Sequence, residues 1–316
     1  MDLLTTAQSR CRWRVIGINI LLIALPPLFW AGNFIVGRAI RHDVPPITLA
    51  FYRWVIALLI LLPFSVVALK RDWHQYWQHP WLILGLSITG ITAFNTLLYV
   101  GLQTTAATNG LILNSCVPLI ILLLGALLFK QPLRRQQIAG MLLSFSGVLM
   151  IVCQGNWQLL AALEFTQGDL IIFSALICWA FYTQWLKCVP PQISRVGLMS
   201  LQMLLGLLLL APFYVWESGQ GTAMQWNLHA LLALAYVGII PSIAAYLLYN
   251  ACVDRLGPAA AGMSIYLMPV FGVVLSVSLL GELVHWYQLT GIGLIFLGIF
   301  AAGMLPKWRT IGATRH

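Results

Sequence analysis

Apolar residues in this chain come in blocks of about twenty, separated by short stretches that hold nearly all of the charge. A helix that spans a bilayer needs about 20 mainly apolar residues. Blocks of that kind fall at residues 15–37, 48–69, 81–102, 107–128 and 137–153, and again at 170–186, 196–216, 229–252, 258–280 and 286–305. The third and fourth divide one long stretch, 74–129, that has no Lys, Arg, Asp or Glu and is too long for a single crossing; the break falls near Gln103-Thr104-Thr105. Within the blocks the apolar residues run continuously, as in LLLLAP, and do not alternate over segments of about ten as membrane β-barrel strands do. Lipid offers no partner for backbone groups, so each block must close its own hydrogen bonds as a helix. The pattern predicts an all-α polytopic membrane protein with ten transmembrane helices.

Tryptophan and the basic residues refine this layout. Trp favours the membrane–water interface, and Trp13, Trp73, Trp77, Trp81, Trp157, Trp216, Trp226, Trp286 and Trp308 fall at or near block ends. Trp30, Trp54 and Trp179 lie inside blocks, where interface anchoring does not explain them. With the N-terminus inside, the inner segments hold fourteen Lys and Arg, the outer ones only Arg38 and Arg41, and Arg53 remains within a span. Asp43, Glu164, Asp169, Glu217 and Glu282 fall outside. Read on Lys and Arg alone, this asymmetry places both termini in the cytoplasm, with short tails at 1–14 and 306–316. The first apolar run is too long, and lacks the small-residue cleavage site, for a secretory leader.

Composition then removes the competing classes. Of 316 residues, 60% are hydrophobic and 8% charged, against about 25% charged in a soluble globular domain. A soluble enzyme or a disordered chain does not fit. The net charge of +9 sits at block ends, where it reads as an orientation signal and not as a nucleic-acid surface. The six cysteines lack metal spacing and read as small hydrophobes.

The chain also repeats itself. Across a linker at 154–168, Trp30-Ala31 matches Trp179-Ala180 and Pro63 matches Pro212 at an offset of 149 residues, while Pro118 matches Pro269, Gly140 matches Gly291 and Gly147 matches Gly298 at 151. QQIAGMLLSFSGVLMI answers to YQLTGIGLIFLGIFAA. The halves are 15–153 and 169–305. Five spans in each force the second into the membrane upside down relative to the first, which gives two inverted five-helix repeats. Such repeats are common in transporters, with the substrate site near the midplane between them.

The opening PPLFWAGNFIVGRAI followed by PPITLAFYRWVIALLILLP, in this ten-span double repeat, resembles the drug/metabolite transporter superfamily and, within it, the EamA-type exporters. The resemblance covers about residues 18–304. It rests on Trp30 and Asn33, Arg53, the Ala106-Ala107-Thr108 run with Pro118, and in the second half Gly257-Pro258-Ala259-Ala260, Pro269, Gly281-Glu282 and Gly291. It implies export of small metabolites, amino acids foremost, across a bacterial inner membrane by alternating access. The family commonly has Glu just before the last span of each repeat. Here Glu282 keeps the second, and Gln131 stands at the first.

Ionisable groups inside a membrane are functional candidates by default. Arg53 is one: its planar fork suits a substrate carboxylate, or it snorkels to the interface as an anchor. Trp30, Asn33, Asn95, Tyr99, Asn114, Trp179, Tyr182, Tyr246 and Tyr249 form a largely repeat-related set of interior aromatic and amide groups. They suit either an amphipathic cavity or hydrogen bonding between helices. Gln202 is the repeat partner of Arg53, and Asn109 and Tyr266 are weaker additions. Pro118 and Pro269 are expected to break their helices and serve packing or gating. Gly140, Gly147, Gly291 and Gly298, spaced seven apart in each half, suit close helix packing. No catalytic constellation, metal motif or cofactor fingerprint is present. The expected partners are a small-molecule substrate and the lipid bilayer, with no nucleic acid, in a monomer or homodimer. Organic-cation efflux and a lipid-handling or scaffolding role remain open.

Overall fold

A computed structural model describes residues 2–40, 43–105, 107–161, 166–220, 224, 226–280 and 283–303, with the side chains at 2–13, 34, 37–39, 102, 107–109, 160–161 and 279–280 left aside. Arg41, Glu164, Gly281, Glu282, Trp308 and the tail at 306–316 lie outside the described residues, as do the side chains of Trp13, Arg38 and Asn109.

The described residues form ten helical rods, one further turn of helix at Gln158–Ala161, and no strand; the rods are numbered in chain order. They are α1 (Asp2–Ala39), α2 (Pro46–Gln78), α3 (Pro80–Ser87, Ile88–Ala93 and Phe94–Thr104), α4 (Ala107–Asn114 and Val117–Leu127), α5 (Arg135–Val152), α6 (Gln167–Leu186), α7 (Arg195–Gly219), α8 (Leu228–Ile239, Ile240–Ala244 and Ala245–Leu256), α9 (Pro258–Ser264 and Leu267–Leu280) and α10 (Trp286–Ala301). Nine of the described helices are long and apolar enough to cross a membrane; α10 is a shorter apolar helix of 16 residues. α1 runs without a break from Asp2, and its membrane-crossing stretch is Arg14–Asn33.

Packing follows the repeat. The principal pairs are α2 with α7, α5 with α10, α3 with α6 and α1 with α8, and α4 lies on α6 as α9 lies on α1. Exchanging each helix of one half for its match in the other leaves this set unchanged, as a pseudo-two-fold axis requires. The local irregularities are matched too. Both α3 and α8 widen into a π-helical turn, at Ile88–Ala93 and Ile240–Ala244. Both α4 and α9 break once, after Asn114 and after Ser264. Each break falls four or five residues before a proline, Pro118 or Pro269, whose ring would collide with the carbonyl of residue i−4.

Tryptophans sort by depth as their positions in the blocks suggest. Trp73, Trp77, Trp81, Trp157, Trp216, Trp226 and Trp286 are exposed, whereas Trp30, Trp54 and Trp179 are buried. Apolar side chains along the rods, among them Leu59, Phe64, Val67, Leu208 and Phe300, are exposed too, as suits a surface solvated by lipid.

Two features hold the repeats together. In the α5–α10 crossing, Gly140 faces Gly298 and Gly147 faces Gly291. A Cβ on Gly147 would lie 2.6 Å from the Gly291 carbonyl oxygen and 2.9 Å from the Ile295 nitrogen. The glycines therefore let two backbones touch, and Ser144 Oγ adds a 3.2 Å bond to the Ile295 carbonyl. Gly147→Ala is expected to cost about 1–3 kcal/mol through forced separation and to lower the melting temperature in detergent. Gly272→Ala in α9 meets nothing within 4 Å and is expected to leave it unchanged. Equal effects at the two positions would mean the seam is not close-packed.

The second feature laces α2 to α7 at both ends. Glu217, near the end of α7, accepts from the Ile47 nitrogen at 3.0 Å, the Thr48 nitrogen at 2.6 Å and Thr48 Oγ1 at 2.7 Å. At the opposite end Asp72, late in α2, accepts from the Ser194 nitrogen at 2.7 Å and pairs with Arg71. Each helix thus supplies the carboxylate that the other's positive N-terminus favours.

Candidate functional site

The two halves meet around Trp30 and Trp179, whose rings touch edge to face at 5.3 Å. These repeat-related residues form the floor of a central cavity. Its walls include Asn33 of α1, Arg53 of α2, Phe94, Asn95 and Leu98 of α3, Asn114 and Val117 of α4, Tyr246 of α8, and Ile265 and Met268 of α9. Seven of the ten residues singled out from the sequence as substrate-binding therefore line one space: Trp30, Asn33, Arg53, Asn95, Asn114, Trp179 and Tyr246.

Arg53 is 1% exposed, so it does not snorkel to the interface. Ala50 and Ala57, small and fully buried on the same face of α2, and Gly238 on α8, where a Cβ would meet Ile56 at 2.7 Å, let the neighbouring helices close around it. The guanidinium donates from Nε to Ser242 Oγ at 2.8 Å and from Nη1 to Asn95 Oδ1 at 3.0 Å and Tyr99 OH at 2.8 Å. It also lies 5.0 Å from the Trp54 ring centre. All three bonded partners are neutral oxygens. The sequence placed Asn95 and Tyr99 one turn apart on α3; the structure turns both onto Arg53.

The π-helical turns feed this centre. A wide turn frees backbone carbonyls, and such turns are frequent at functional sites. In α8, Pro241 has no N–H for the Val237 carbonyl, and Ser242 Oγ donates to that oxygen instead at 2.7 Å. The Pro241 carbonyl accepts from Trp30 Nε1 at 3.2 Å. In α3 the Gly90 carbonyl accepts from Tyr246 OH at 2.9 Å. Sequence reasoning passed over Ser242 and both bulges. Pro241, inside an otherwise unbroken apolar block, was the available signal for one of them; nothing comparable marks the other.

Of the other three candidates, Tyr99 reaches Arg53 without lining the cavity and two sit deeper. Tyr182 and Tyr249 are fully buried, do not line the cavity, and bond to Asn250 Oδ1 at 3.1 Å and to Thr183 Oγ1 at 2.9 Å respectively. The repeat is thus broken in its packing. Asn33 and Tyr99 are half-buried, while their matches Tyr182 and Tyr249 are sealed. Helix directions place the sealed pair on the basic side of Trp179, toward Lys70, Lys130 and Arg255. At that end Arg195 of α7 pairs with Asp254 of α8 at 2.6 Å, and Lys187 Nζ of α6 reaches the Asp254 carbonyl at 3.2 Å. The cavity lies on the other side of the tryptophans.

Gln202, matched to Arg53, is fully buried with neither amide atom bonded. Its would-be partners are engaged elsewhere: Tyr246 with Gly90, Tyr249 with Thr183, and Asn250 with Tyr182 and Met199. Gln131, where the second half has Glu282, donates to Gln184 Oε1 at 2.8 Å, and Gln184 donates to the Ile121 carbonyl at 2.7 Å. This neutral chain ties the end of α4 to α6. Among the described residues no group of His, Cys, Asp and Glu is placed to hold a metal ion.

Known proteins fit this architecture. The model of the EamA-like transporter family matches residues 17–153 and again 166–304. The chain is 25% identical to the uncharacterized transporter YyaM of Bacillus subtilis over 301 residues, which covers 93% of this chain and 97% of that protein. It is 26% identical to a probable amino-acid metabolite efflux pump of Escherichia coli, over 91% of this chain and 95% of the pump. A solved crystal structure superimposes with a TM-score of 0.73 at 18% identity, covering 91% of this chain and 96% of its own; that likeness is one of fold. Two family matches coincide with the two halves that pack about the cavity, and the chain is a multi-pass membrane transporter belonging to the EamA-like transporter family.

Proposed function

We propose that this chain exports small metabolites, amino acids foremost, from the cytoplasm of a bacterium across its inner membrane, holding the substrate in the central cavity and working by alternating access. Arg53 carries this reading: a permanently charged fork, sealed from the surface, bordering the cavity and bonded only to neutral oxygens. A substrate carboxylate is the complement such a group calls for. Leu98, Val117, Ile265 and Met268 offer an apolar wall to a side chain. The E. coli relative's description as an amino-acid metabolite pump supports the substrate class.

The asymmetry between matched positions supports alternating access. One half's tyrosines are packed shut while the matched Asn33 and Tyr99 are half-buried, and interchanging the two packings would open the other side. With the basic end cytoplasmic, as the positive-inside rule has it, this form faces outward and both termini are inside. The described lining residues of the cavity all belong to one chain, which suits a monomer or a homodimer.

Gln202 gives a separate check. Replacing an unbonded buried amide by an apolar side chain of similar volume removes a desolvation cost of about 1–3 kcal/mol. Gln202→Leu is expected to raise the melting temperature of this form and to slow exchange, because the form it stabilises must be left in each cycle. A lower melting temperature, or faster exchange, would oppose alternating access between these packings.

The deciding experiment is counterflow in proteoliposomes with a panel of labelled amino acids and organic cations, with and without a pH gradient, for the native chain and Arg53→Ala. Amino-acid counterflow lost with Arg53 is the expected result. Cation transport that survives the substitution would overturn the reading.

A further inference from the structure

We propose that, among amino acids and their derivatives, the cavity best takes a monoanion, a carboxylate bearing a neutral donor such as an N-acyl amide or a hydroxyl, with the parent zwitterion a poorer substrate, and that the membrane potential drives its export. This rests on the reading that Arg53 binds the substrate carboxylate. Among the described lining residues Arg53 is the single ionised group; the rest are apolar, aromatic or amide side chains. The described ion pairs, Arg71–Asp72 and Arg195–Asp254, lie at helix ends. One carboxylate therefore neutralises the cavity. A zwitterion would add an ammonium with no counter-charge, in surroundings where an unpaired ion is costly.

Other places for an ammonium are already occupied. Carbonyls freed at the π-helical turns are held by this chain's own donors: Pro241 by Trp30, Gly90 by Tyr246, and Val237 by Ser242. Ring faces would attract a cation, but Trp30, Trp179 and Tyr246 meet edge to face, with interplanar angles of 86–87°, and Phe94 lies tilted against Trp179 at 4.7 Å, so each of these rings already packs against another. The buried side-chain oxygen left without a partner on the cavity wall is Asn33 Oδ1. It can accept from an amide N–H or a hydroxyl, whereas an ammonium brings three donors and a charge, more than one neutral amide oxygen satisfies.

The charge on such a substrate also supplies a driving force. The carboxylates among the described residues, Asp43, Asp72, Asp169, Glu217 and Asp254, all lie at helix ends or in a turn, away from the cavity wall where a proton carrier would work. A monoanion leaving a cell that is negative inside moves down the electrical gradient. That is worth a concentration ratio of about 50-fold per 100 mV and needs no coupled ion.

The test uses the full chain in proteoliposomes loaded with labelled N-acetyl-L-leucine, L-leucine or L-leucinamide, under valinomycin–potassium diffusion potentials of either sign. N-acetyl-leucine efflux at least tenfold faster than leucine efflux, accelerated by an inside-negative potential and lost in Arg53→Gln, is the expected result. Leucine efflux equal to or faster than N-acetyl-leucine efflux, indifferent to potential and still dependent on Arg53, would overturn the monoanion inference and leave the amino-acid exporter reading intact. Leucinamide efflux alone would overturn both, and so would the absence of any flux from folded protein.

Discussion

Arg53→Gln is expected to lower counterflow of a carboxylate substrate by about 100-fold while leaving the protein as stable as before, or more so. The two halves of this result have different causes. Truncating one partner of a buried, hydrogen-bonded charge pair costs about 2–5 kcal/mol, and in the loaded transporter Arg53 would be one of those partners. In the empty cavity the guanidinium has the neutral oxygens of Ser242, Asn95 and Tyr99 and the Trp54 ring for company. A buried cation without a counter-ion is a burden on folding, and glutamine keeps enough of the side chain to bond Asn95 or Tyr99. A purely structural arginine would behave differently, with melting temperature and transport falling together. Arg53→Lys separates charge from shape: it keeps the cation, loses the fork, and is expected to fall between the native protein and glutamine in apparent affinity.

The largest loss of stability is expected at Glu217, which does not line the cavity. Pro45, which precedes α2, has no side-chain acceptor, and the Ile47 and Thr48 N–H groups point instead to a carboxylate about 170 positions later in the chain. Glu217→Ala removes an acceptor used by two backbone donors and the Thr48 hydroxyl at a site only 7% exposed. Charge-assisted bonds of this kind are worth about 1.5–3 kcal/mol each and are not additive. The expected cost is therefore about 3 kcal/mol, read as a fall in melting temperature of roughly 5 °C or more. Thr48→Val removes only the hydroxyl bond and should cost about 1 kcal/mol. If the two substitutions prove equally mild, the carboxylate does not cap α2.

The helices, their number and the duplication were legible because each has a local or periodic cause. A block of twenty apolar residues with charge at its ends must be a helix in lipid, and Pro118 and Pro269 must interrupt theirs wherever they sit. Gly140, Gly147, Gly291 and Gly298 were legible as a spacing; that they face one another across α5 and α10 is a property of two segments about 150 residues apart. The candidate site was legible as a collection of residue types. Arg53, Trp30, Asn95 and Tyr246 stand out because polar and aromatic groups deep in apolar blocks need partners. Which partners they find was not legible, since nothing in the local sequence joins Arg53 to Ser242 or Trp30 to the Pro241 carbonyl.

That this chain spans a membrane as two related halves, with one cation buried among apolar residues, is written in its amino-acid pattern, because burial in lipid constrains every segment separately and leaves its mark in composition and period. The packing of distant helices is what turns Arg53 to the cavity and not to the interface, seals Tyr182 and Tyr249 while Asn33 and Tyr99 stay half-open, and leaves Gln202 unbonded where its counterpart has three bonds. Those differences arise between positions the repeat makes equivalent. Two similar halves packed about one axis can satisfy only one set of central contacts at a time, and which set is satisfied depends on contacts between distant helices that no single segment encodes.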